Sequence, residues 1–63
     1  MSVLGQKQNY INMLIAQYNN LINTYNASTD KQFKEDLSNR IDILNNQIQN
    51  AQEDLKLTQQ KIN

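Results

Sequence analysis

Between Leu37 and Ile62 the chain repeats one spacing. Leu37, Ile41, Leu44, Ile48, Ala51, Leu55, Thr58 and Ile62 follow one another alternately four and three residues apart. This is a heptad pattern, with Ile41, Ile48, Leu55 and Ile62 at a and Leu37, Leu44, Ala51 and Thr58 at d. On a helix these positions form one narrow stripe, and such a stripe is stable only when another helix covers it. The seam therefore requires a partner helix, either in the same chain or from outside it.

The same spacing occurs earlier. Ile11, Leu14, Tyr18, Leu21 and Tyr25 alternate by three and four, with Ile11, Tyr18 and Tyr25 at a. Leu4 falls on the same line. The pattern predicts a first helix over about residues 6 to 26, with Met1–Gln6 as a frayed lead-in because Gly5 weakens a helix by about 1 kcal/mol relative to alanine. Ile15 and Ile22 at e widen the first stripe into a face broad enough to touch two neighbours. Lys7 is the only charged residue in this helix, and its polar face is Asn and Gln, which are poorer helix formers than alanine.

The segment Asn26-Ala27-Ser28-Thr29-Asp30 is the one clear break. Asn26 can close the first helix in a left-handed cap. Ser28 or Thr29 can open the second, with Thr29 and Gln32 spaced as a capping box and Asp30, Glu35 and Asp36 adding negative charge near the helix start. A short connection joins antiparallel neighbours. The second helix is expected from about residue 30 to 61. Its surface pairs Asp30 with Lys34, Asp36 with Arg40, and Glu53 with Lys56. The first helix is expected to cover the seam as far as about Asp54, which leaves Leu55, Thr58 and Ile62 without a partner. The expected fold is all-α: an antiparallel two-helix hairpin spanning residues 1–63, associating into a helical bundle or docked on a larger assembly.

Composition narrows the chemistry. A chain of 63 residues rarely gains more than roughly 3–5 kcal/mol from one core, so small chains add disulfides, metals or partners. Cysteine and histidine are both absent. That removes disulfides, thiolate metal sites and the commonest general base. The acid doublets Glu35-Asp36 and Glu53-Asp54 point about 100° apart on a helix and face no cleft. Ser28, Thr29 and Ser38 lack a histidine to activate them. No catalytic, cofactor-binding or metal residue is expected, no cofactor, and no small-molecule substrate. Net charge is zero, and no basic cluster marks a nucleic-acid partner. No apolar run is long enough to span a membrane, and Met1–Gln6 lacks the regions of a signal peptide. A cytoplasmic location in a bacterium or host cell, or a virion, is the expectation.

Partner helices remain as the stabiliser. The expected role is a non-enzymatic structural or assembly protein, of the kind found among small bacteriophage virion and accessory proteins; the wealth of Asn, Lys, Ile and Tyr fits AT-rich coding DNA. The alternative is a small regulatory adaptor or inhibitor that presents the hairpin to one target protein. The partner is the chain itself or a larger protein assembly. Interface residues are expected at Ile11, Ile15, Tyr18, Ile22, Tyr25, Leu55, Thr58 and Ile62. Tyr10 lies close beside the tyrosine line, and Ile43 and Leu57, both at c, offer a second contact line. In length and turn position the chain resembles plasmid copy-number hairpins of the Rop type, which pair into four-helix bundles. The resemblance is one of layout, with no shared motif and no basic face, and no residue role is carried over.

Overall fold

A computed structural model describes residues 2–62, with the side chain of Ile62 outside the description. Two helices account for nearly all of them: α1, Val3–Ala27, and α2, Lys31–Ile62. They fold back on each other as an antiparallel hairpin joined by Ser28, Thr29 and Asp30.

α1 starts earlier than the spacing of its apolar residues suggests. Ser2 is its N-cap, in extended conformation (φ −73°, ψ 157°), and its Oγ accepts from the Gly5 N–H at 3.0 Å. Its carbonyl takes the first helical bond from the Gln6 N–H at 3.0 Å. A serine cap contributes about 1 kcal/mol, which offsets the cost of Gly5. Residues 3–6 are thus helical, not a frayed lead-in.

The connection uses other residues than expected. Asn26 is inside α1, and no described residue has a positive φ, so there is no left-handed cap. Ser28 closes α1 from extended backbone: its N–H donates to the Tyr25 carbonyl at 3.2 Å and its hydroxyl to the Thr24 carbonyl at 2.7 Å. The N-cap of α2 is Asp30 rather than Ser28 or Thr29. Its Oδ1 accepts from the Gln32 N–H at 3.1 Å and its carbonyl from the Lys34 N–H at 3.0 Å. A carboxylate there also meets the positive end of the helix dipole. Asp30→Ala should therefore lower stability by about 1 kcal/mol, read as a lower urea midpoint with an unchanged m-value. Asp30→Ser should recover most of the loss.

The core is small and lies on the heptad stripe. Ile11, Leu14, Leu37, Leu44 and Ile48 are buried. Leu14, Leu44 and Ile48 form its centre, with Tyr18, Leu21 and Ala51 packed against them. Each such aliphatic contributes about 1.5–3 kcal/mol by burial. α2 has 32 residues, about 48 Å at helical rise. The long axis of the molecule is 49 Å, so α2 runs its full length nearly straight. The accessible surface is 4814 Å². A compact monomer of this mass exposes about 4200 Å². The hairpin is a slab one helix thick.

Two cross-helix contacts set the register. Lys7 of α1 meets Asp54 and Thr58 of α2, and at the other end Lys34 of α2 lies over the ring of Tyr25 of α1. On this register Val3 is level with about Leu57. Leu55 and Thr58 are half-buried, not uncovered as the shorter first helix implied. The local ion pairs expected along α2 are not formed. Lys7–Asp54 is the ion pair among the described residues, and Lys34 turns to Tyr25 instead of Asp30. Exposed pairs on a helix contribute only a few tenths of a kcal/mol, too little to hold long side chains in one place.

Candidate interaction surface

A slab has two broad faces, and heptad position decides which side chains each one carries. In antiparallel helices the e positions of both border one face, and the g positions border the other, with c farther out on that side. The structure supplies a check on this assignment. An open depression of about 380 Å³ near the turn is lined by Tyr25, Thr29, Lys31, Lys34, Glu35 and Ser38. Of these, Tyr25 and Lys34 are a residues and Lys31 and Ser38 are e residues, so the depression opens on the e face. The Lys34 ammonium sits 4.6 Å from the centroid of the Tyr25 ring, a cation–π distance.

The interface residues expected from sequence fall into three groups. Ile11 is sealed in the seam at 2% exposure and is not available to a partner. Tyr18, Ile22, Tyr25, Leu55 and Thr58 are half-buried, already engaged at the margins of the hairpin. Ile15 is open at 37%. Ile62 ends α2, and its side chain lies outside the described residues. The e face is thus only thinly apolar. Opposite Ile15 and Ile22, α2 presents Ser38, Asn45 and Gln52.

The other face differs. Val3 and Tyr10 at g and Met13 at c project from α1. Phe33 at g, with Ile43 and Leu57 at c, projects from α2. Among the described residues, six of the seven large apolar side chains that are exposed belong to this flank; Ile15 is the exception. Val3 and Leu57 lie at the same level, Tyr10 and Met13 come next, then Ile43, and Phe33 is at the turn. Tyr10, Ile43 and Leu57 were visible in the sequence as isolated features. Val3, Met13 and Phe33 lie outside both heptad seams and carry no signal of their own in the sequence. The signal that joins them is the antiparallel register, which brings g and c residues of both helices to one side.

Between its apolar side chains the flank also carries charged ones, Asp36, Arg40, Asp54 and Lys61. Among the described residues no group of three or more Asp, Glu, His or Cys side chains is placed to hold a metal ion. No helix among them is long and apolar enough to cross a membrane. Comparison with protein-family models, with curated proteins and with solved structures finds no match.

Proposed function

We propose that this chain is a non-enzymatic structural module that assembles with copies of itself through helix–helix packing. The observation that carries this reading is the mismatch between core and surface: among the described residues five apolar side chains are buried, while seven large ones are exposed. Six of the exposed ones fall on one side, and clustered exposed apolar surface marks interaction sites, whereas scattered residues do not. A zero net charge adds no long-range repulsion between copies. The richness in Asn, Lys, Ile and Tyr, which AT-rich coding DNA favours, supports a place among small bacteriophage virion or accessory components.

Light scattering and thermal melting test the reading. The purified chain should scatter as a species heavier than its 7.4 kDa. Its melting temperature should rise with protein concentration, because association stabilises the folded state by mass action. A folded monomer whose melting temperature does not depend on concentration would overturn it.

A further inference from the structure

We propose that the assembling surface is the g/c flank, and that its occupant is a second copy laid antiparallel, with α2 facing α2 about a two-fold axis at Gln47. This inference rests on the self-assembly reading and names its face and register.

Three observations select the occupant. The first is apolar content: the flank holds Val3, Tyr10, Met13, Phe33, Ile43 and Leu57 interspersed with polar g and c residues such as Gln17, Asp36 and Asn50, while the opposite face has Ile15 as its one large exposed apolar side chain among the described residues. The second is area. A Cα footprint of 49 × 18 Å gives each broad face roughly 900 Å², close to the ~800 Å² per partner of a standard stable interface. A second slab of the same shape covers it fully. The third is charge. The g residues of α2 read Phe33, Arg40, Gln47, Asp54 and Lys61. They are symmetric about Gln47, with Arg40 and Asp54 each seven residues from it. An antiparallel copy centred there sets Arg40 opposite Asp54 of the second copy, and two-fold symmetry makes the pair twice. Among the described residues Arg40 forms no ion pair within its own chain, and Asp54, which meets Lys7 through Oδ2, keeps a side chain that is 60% exposed. No like charges of α2 fall opposite one another in this register.

The absence of cysteine makes the test clean. Gln47→Cys and Asn45→Cys place one thiol each at exposed positions about 200° apart on the helix, one on each face. A residue on the two-fold axis meets its own copy, and a disulfide needs Cα atoms within about 7 Å. On mild oxidation, Gln47→Cys should convert largely to a covalent dimer and Asn45→Cys should stay single. In parallel, Ile43→Asp should raise the concentration needed for association at least about tenfold by light scattering, with the helical circular dichroism retained at high concentration. Preferred cross-linking at Asn45 overturns the flank. An oligomer by scattering that cross-links at neither site also overturns the flank and its register, and leaves the proposed function standing. A monomer by scattering at every concentration overturns both.

Discussion

Leu44→Asp should abolish the hairpin. Far-ultraviolet circular dichroism of the variant should show a largely unfolded chain under conditions where the parent is helical. Leu44 is 6% exposed and forms the centre of the core with Leu14 and Ile48. The substitution removes a buried leucine, worth about 2–5 kcal/mol when truncated to alanine. It also places a carboxylate where it has no partner, which adds several kcal/mol more or forces the group to take up a proton. A core of this size supplies roughly 3–5 kcal/mol in total, so the loss exceeds the reserve. The neighbouring Ile43 is 60% exposed, and Ile43→Asp should keep its helices. Two substitutions of one type, one residue apart, thus separate fold from surface. A helical, cooperatively melting Leu44→Asp variant would show that the seam is not the core.

The seam was legible because it depends on nothing but periodicity. The four-and-three spacing of Leu37 to Leu55 appears in the structure as buried and half-buried positions in the same order. The place of the break was legible too, since Ser, Thr and Asp cluster there. Which residue caps which helix was not. Ser28, Thr29 and Asp30 can all accept a backbone N–H, and the choice rests on which carbonyl starts the helix, a difference of one or two residues. At the other end Gly5 is a weak point that the sequence shows, and the Ser2 cap beside it offsets that cost. A first helix that begins at residue 6 leaves the far end of α2 empty; the turn that Ser2 caps reaches it, and Leu55 and Thr58 are half-buried there. The g/c flank was illegible for a different reason. Val3, Tyr10 and Met13 line one side of α1, but in one helix three apolar residues outside the seam are only scattered exposed side chains. They become a pattern only when the register aligns them with Ile43 and Leu57.

Lys7 is the polar residue through which that register can be tested. It occupies a d position in the seam, where an apolar side chain would pack better, and such intrusions select one alignment at a cost in stability. Its ammonium lies 2.8 Å from Asp54 Oδ2 and donates to Thr58 Oγ1 at 2.7 Å. The Thr58 hydroxyl in turn donates to the Asp54 carbonyl at 2.9 Å, so the three residues form one short network across the open end. A slip of α2 by one heptad would keep the apolar stripe covered. It would also set Lys7 against Gln47 in one direction and against Lys61 in the other. The ion pair is therefore specific to the observed alignment. The Asp54 side chain is 60% exposed, so solvent screens the pair and its contribution is at most about 1 kcal/mol. Lys7→Glu replaces that attraction by repulsion of similar size, for a net loss of roughly 1–2 kcal/mol. In a chain this small each kcal/mol moves the melting temperature by about 4–8 °C. The expected drop is largest at low salt and shrinks near 1 M, where the Debye length is about 3 Å. Adding Asp54→Lys restores the attraction with its sign reversed and should recover more than half of the drop. If the double variant melts no higher than Lys7→Glu alone, the open end is held by apolar packing of Leu4 and Leu55, and the charges only accompany it.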